Sequence, residues 1–289
     1  YTLWHTLSLH DALPICMLRF FTQALLGALG VLLLAGPAGA DKIEKIKSRG
    51  YMIAGITAKT PPFSVMHNDQ AQGFEVDITA RLARKLGVDI KYKIPGKDEA
   101  DPLSMLRQGT VDIVAAQIRH TFSHDETVDF SQSYFFGGHK LLVKTASSFQ
   151  IPQDLKGRSI GFVSNETVQG TVKNVLPGCP IQNFATLEGA LTGLTEESIA
   201  ALAVEAIPFL IKTRQHSYTG DFRFLEPFLL KVPLGIALPE NESNFRDVIN
   251  QTLAEMWINE QYQTIYAKWF GPGSPFPYPL SWEIQTYPF

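Results

Sequence analysis

The sequence predicts an α/β fold built in two successive rounds of one grammar, and three observations carry that prediction. Strand and helix patterns alternate between residues 51 and 118, the order that lays helices over a mostly parallel sheet. The same order restarts at Arg158. The run 111–118 is mostly apolar, as a strand covered on both faces must be.

The elements follow in order. Lys42–Arg49 reads as a short charged helix stopped by Gly50, and 51–56 as a compact apolar strand. Thr60-Pro61-Pro62-Phe63 must be loop, because two prolines remove backbone donors and fix φ. Residues 73–77 lead into a helix whose apolar positions Ile78, Leu82 and Leu86 recur every four residues, with Gly87 as its stop. Strict alternation over 88–94 predicts a half-exposed strand. Leu103, Leu106 and Gly109 mark another short helix and its end, and Gly137-Gly138 a tight turn leading out of the first body. The second round holds a strand over 158–163, a helix over 167–176, a strand over Ile181–Phe184, and a strand over 199–204 running into a helix at 208–212. Residues 229–238 are extended, and 245–270 form the longest helical stretch, in which Trp257 and Trp269 anchor the end of the chain to the first body. The last segment, 271–289, holds five prolines and is expected to lie extended over the surface.

Composition narrows the function. With 45% hydrophobic and 18% charged residues and a net charge of −3, the chain is an ordinary globular protein, lacking the basic footprint that binding to nucleic acid requires. Met17, Arg19, the apolar run 20–35 and the small residues 36–40 describe a secretory signal peptide over 17–40, cleaved after about Ala40, and so a periplasmic protein. An uncleaved anchor is the alternative, although the run is short for one. Residues 1–16 fit nothing in such a signal and are read as a non-native upstream stretch. Cys16 lies there, which leaves Cys179 without an intramolecular partner, so hydrophobic cores must hold the fold.

A series of short motifs then carries a resemblance. These are Pro61-Pro62-Phe63, Gly73-Phe74-Glu75-Val76-Asp77, Ala83-Arg84-Lys85-Leu86-Gly87, Leu106-Arg107-Gln108-Gly109-Thr110-Val111-Asp112, Val128-Asp129-Phe130-Ser131, Leu155-Lys156-Gly157-Arg158-Ser159-Ile160-Gly161 and Lys268-Trp269-Phe270-Gly271. In this order the chain resembles family 3 of the bacterial periplasmic solute-binding proteins, the polar amino acid group. The resemblance implies a two-lobed, type II periplasmic-binding fold with crossing strands near 140–144 and 229–236. Residues 41–142 and 235–275 would form the first lobe, 143–234 the second, and 276–289 the extended tail. It further implies a small polar ligand, an amino acid or a relative of one, captured by hinge closure without a cofactor and delivered by a monomer to an ABC-type membrane permease. Two alternatives stay open: an enzyme on the same fold that dehydrates cyclohexadienyl acids, and a sensor that presents its closed form to a membrane receptor.

A zwitterion leaving water needs donors for its carboxylate and an acceptor for its ammonium. Relatives hold the carboxylate with an arginine at the position of His124, and an imidazole cannot form that two-pronged contact. Arg119, where the family has Ser or Thr facing ligand, is expected to take the anion instead; its alternative is a surface pair with Asp125 or Glu126. Ser123 and Glu126 read as a capping box for the short helix there. In the second lobe Thr167 keeps the hydroxyl of the family's Gly-Ser-Thr run, or is a plain helix cap, while Glu166 departs from it. Glu205 stands where the family has an ammonium-accepting Asp, the alternative being a structural ion pair. Thr57 and Thr60 replace an acid and an aromatic on the first loop, and Gln117 and Thr121 complete the candidate set. His120 and His124 are four apart, but no third ligand lies at a telling interval, so no metal site is expected.

Overall fold

A computed structural model of the chain describes residues 41–96, 101–164, 166–216 and 221–286; the expected signal segment and the stretch before it lie outside them. The fold opens with α1 (Lys42–Arg49), tied down by Asp112. That carboxylate meets Lys42 at 2.8 Å, pairs with Arg49, and accepts the Ile53 backbone N–H at 2.7 Å. After β1 (Tyr51–Gly55), a small antiparallel sheet forms from β2 (Lys59–Thr60), β3 (Ser64–His67) and β4 (Gln70–Gln72). The segment expected to be plain loop therefore has order: Thr60 pairs with Ser64 around the two prolines. The following hairpin turns at Asn68 and Asp69, whose positive φ of 48° and 60° suits short polar side chains.

α2 (Phe74–Leu86) begins after Gly73. With φ 145°, a Cβ on Gly73 would overlap the Phe63 carbonyl, so only glycine admits this approach. Ile78, Leu82 and Leu86 are buried, as their four-residue spacing requires. β5 (Asp89–Lys93) pairs parallel to β1, and α3 (Ser104–Arg107) leads to β6 (Ile113–Val114). β6 is much shorter than the expected 111–118 because side chains and turns take over the backbone beyond it: the Gln117 N–H goes to the Glu75 carboxyl. The cap of α4 (Phe122–Asp125) is also different from expectation, since Thr121 supplies it by accepting the His124 N–H at 3.3 Å. Ser123 lies inside the turn.

β7 (Asp129–Lys144) is a single strand of 16 residues. The second round then comprises β8 (Ile160–Val163), α5 (Glu166–Val175), β9 (Ile181–Phe184), α6 (Leu187–Thr195), β10 (Ala201–Glu205), α7 (Ala206–His216) and β11 (Phe222–Phe224). β12 (Leu230–Leu238), α8 (Ser243–Ile258) and α9 (Gln261–Phe270) complete it. The expected long terminal helix is two helices, broken at Glu260, whose φ of 57° is left-handed. Trp269 fastens α9 to α2 by donating to Asp77 at 2.8 Å.

Among the described residues the main sheet runs β5-β1-β6-β12-β7-β10-β8-β9, with β11 also on β7. β5, β1 and β6 are parallel, as are β10, β8 and β9, and the antiparallel pair β12–β7 joins the two sets. This is the expected two-lobed α/β architecture with two crossing strands. Period-two alternation gives each set a core on either face. Leu141, Val143, Ala201 and Ala203 pack with α5, whereas Leu142, Leu202 and Val204 pack with α6.

β7 pairs with β12 from Asp129 to His139 and with β10 from His139 to Leu142, so it changes partners near Gly138. No turn forms at Gly137-Gly138. Gly138 has φ 123°, and a Cβ there would run into the Leu230 carbonyl of the facing strand. The tail is likewise not superficial. Tyr278, Trp282 and Ile284 are buried, and Trp282 packs edge-on against Phe135 and Phe136 of β7. Tyr278 also covers the buried Lys140 ammonium, which pairs with Glu226.

Candidate ligand-binding site

Several of the candidate residues follow the carboxyl ends of parallel strands, the end at which open α/β sheets place their ligands. Thr57 follows β1, Gln117 and Arg119 follow β6, and Glu205 ends β10. Glu166 opens α5 just after β8, its side chain lying outside the described residues.

Arg119 is held by a backbone bridge to Leu234 of β12, and its guanidinium donates to Oε1 of Glu205. The two residues named for opposite poles of a ligand are thus in contact, one beyond β6 and the other at the end of β10. Arg119 does not pair with Asp125, which binds His120 at 2.9 Å instead. Arg119 is 52% and Glu205 27% exposed, so their pair is worth only about 0.2–1 kcal/mol and is cheaply exchanged for other partners.

His124 Nδ1 lies 2.8 Å from the Arg119 carbonyl, an acceptor, so Nδ1 carries the proton and the ring braces the loop. The Thr121 hydroxyl is occupied as the α4 cap. His120 stacks on Phe130 with ring centres 4.5 Å apart. No cluster of three or more metal-ligating side chains occurs among the described residues.

On the first loop, Thr57 Oγ1 lies 2.8 Å from Ser64 Oγ and also contacts Thr60 Oγ1. In the second lobe Thr167 is exposed in the first turn of α5, and its carbonyl accepts from Thr171 at 3.0 Å. Thr171 Oγ1 in turn receives His139 Nδ1 at 2.9 Å. His139 stands opposite Glu205 in the β7–β10 ladder; burial lowers its pKa, Glu205 opposes that, and Arg119 adds to it.

Sequence reasoning missed His139, Ser64, Tyr134 and Glu75. Glu75 is fully buried and accepts from the Gln117 N–H at 2.7 Å and from the Tyr134 hydroxyl. Burial pushes its pKa up to about 7, against the pull of the bonds from Tyr134, Gln117 and Ser64. The one available signal was a carboxylate placed between Phe74 and Val76 at the start of an amphipathic helix.

The model of the bacterial extracellular solute-binding proteins, family 3, matches residues 52–272. The L-cystine-binding protein of Escherichia coli is 28% identical over 86% of this chain and 95% of its own length. The glutamine-binding protein of a Bacillus subtilis ABC transporter is 28% identical over 88% of this chain and 97% of its own. Among solved structures, an ancestral cationic amino acid solute-binding protein superposes with a TM-score of 0.59 at 26% identity, covering 79% of this chain and 99% of that one. No helix of the described residues is long and apolar enough to cross a membrane.

Proposed function

The chain belongs to family 3 of the bacterial extracellular solute-binding proteins, and from that premise we propose that it captures a small zwitterionic amino acid outside the inner membrane. Capture is by lobe closure, without covalent chemistry, and the loaded monomer delivers its ligand to an ABC importer. The observation that supports this reading best is the Arg119–Glu205 contact. It joins one cationic and one anionic group from opposite lobes, the two charges a zwitterion needs. A ligand carboxylate replaces Glu205 at Arg119, and its ammonium replaces Arg119 at Glu205. Either pole alone would leave one protein charge without a partner, which selects against simple anions and cations. Thr57 and Thr60 line the first-lobe side, Gln117 and Thr121 frame the Arg119 loop, His124 supports that loop, and Glu166 and Thr167 open the facing helix. A secretory leader over 17–40 is part of the same reading.

Calorimetry against L-cystine, L-glutamine, L-glutamate and L-arginine, beside a turnover assay with prephenate, tests the proposal. Saturable binding of one amino acid without prephenate turnover is the expected result. Conversion of prephenate, with no amino acid bound, would replace capture by catalysis.

A further inference from the structure

A cavity of about 980 Å³ opens where the second-round elements meet the end of the chain. α7 and β11 wall one side, with Leu142 of β7 and Leu191 of α6 behind them, and α9 and the tail from Gly271 to Leu280 wall the other. It is separate from the candidate ligand site: among the described residues, none of Thr57, Gln117, Arg119 and Glu205 lines it. Side chains alternate along β10, so Glu205 falls on the α5 face with Ala201 and Ala203. Leu142 and Leu191 belong to the α6 cluster on the reverse face.

Phe209, Phe222, Phe224 and Phe270 complete an apolar interior, and the tail adds a proline-rich edge. A recess of this size, apolar with a few polar groups, has the build of a small-molecule site. Its polar groups define what fits. Thr213, Gln263 and Tyr266 donate to backbone carbonyls, and Arg223 holds the carbonyls of Ser147 and Phe149. Arg214, in the last turn of α7, makes no hydrogen bond or ion pair among the described residues. No aspartate or glutamate among them lines the cavity to answer its charge. Arg214 is exposed, so that charge sits at the mouth while the apolar walls lie within.

We infer that this cavity is a second binding site, for an apolar carboxylate whose body fills the aromatic interior and whose headgroup meets Arg214 at the mouth. The body gains by leaving water, and a guanidinium takes a carboxylate through two parallel charge-assisted bonds. An ammonium on the same body would meet repulsion at the mouth. The site stands independently of the capture reading above.

The experiment titrates decanoate and decylammonium, each well below its micelle concentration, into the full chain by calorimetry. Displacement of the dye anilinonaphthalene sulfonate, itself an apolar anion, gives a second readout. Decanoate should bind saturably at one site per chain and displace the dye, and decylammonium should bind at least tenfold more weakly. Arg214→Glu, a change at an exposed position, should reverse that order. Ala267→Trp, at an exposed α9 position on the cavity wall, should fill the recess and abolish binding of both amphiphiles while the circular dichroism spectrum is kept. The inference is overturned if decanoate fails to saturate, if the two amphiphiles bind alike in the wild type, or if Arg214→Glu or a folded Ala267→Trp leaves decanoate binding as it was. These outcomes read the same whether or not an amino acid binds at Arg119 and Glu205.

Discussion

Replacing Glu75 by glutamine should change how stability depends on pH, by an amount that follows from the site. The Glu75 pKa rises from 4.5 to about 7 because the carboxyl is fully buried. Between those values the folded chain holds a proton that the unfolded chain has lost, so folding weakens as pH rises through the window. At about 1.4 kcal/mol per pH unit the window amounts to roughly 3 kcal/mol, with no further change above it. Glutamine is neutral and isosteric, and its carbonyl can still accept from Gln117 and Tyr134. Urea unfolding of the ligand-free wild type and Glu75→Gln across the window measures the effect. The wild type's stability relative to the variant should fall by roughly 3 kcal/mol between about pH 4.5 and pH 7 and then level off. Parallel stability curves would refute the reasoning, because they would mean that Glu75 titrates alike in both states.

Arg119→Ala should abolish amino acid binding by calorimetry and leave the unfolding midpoint nearly unchanged, because a half-exposed ion pair contributes only about 0.2–1 kcal/mol. Glu205→Gln should weaken binding of an ammonium-bearing ligand by roughly 1–3 kcal/mol while preserving the circular dichroism spectrum. Trp282→Ala should cost about 3–5 kcal/mol in denaturant unfolding, since the ring fills the space between Phe135, Phe136 and Tyr266.

Local pattern made much of this fold legible. Ile78, Leu82 and Leu86 announce α2, and Gly87 ends it at φ 72°. What escaped was information that resides in long-range partners. β6 stops early because the Gln117 N–H is taken by a residue 42 positions away. The tail has no periodicity to read, yet Tyr278 and Trp282 are buried against Phe135, far upstream in the chain. α6 went unnoticed because its glycines and threonines are poor helix formers; the Thr186 cap and buried Leu191 and Leu194 offset them. At the site, Arg119 and Glu205 could each be named from chain position, but not their mutual contact. Glu75 and Tyr134 looked like core residues, and only their meeting across 59 positions makes them a polar centre.

The unbroken β7 strand has a bearing on how the molecule comes apart. Its first half is stitched to β12 and its second to β10 and β11, so neither half of the protein can melt and leave the other with intact edges. Opening either end exposes unpaired backbone donors and acceptors along a shared ribbon. The ribbon therefore couples the hydrophobic clusters on either side of it, and a single unfolding transition, coincident by circular dichroism and tryptophan fluorescence, is the expected result.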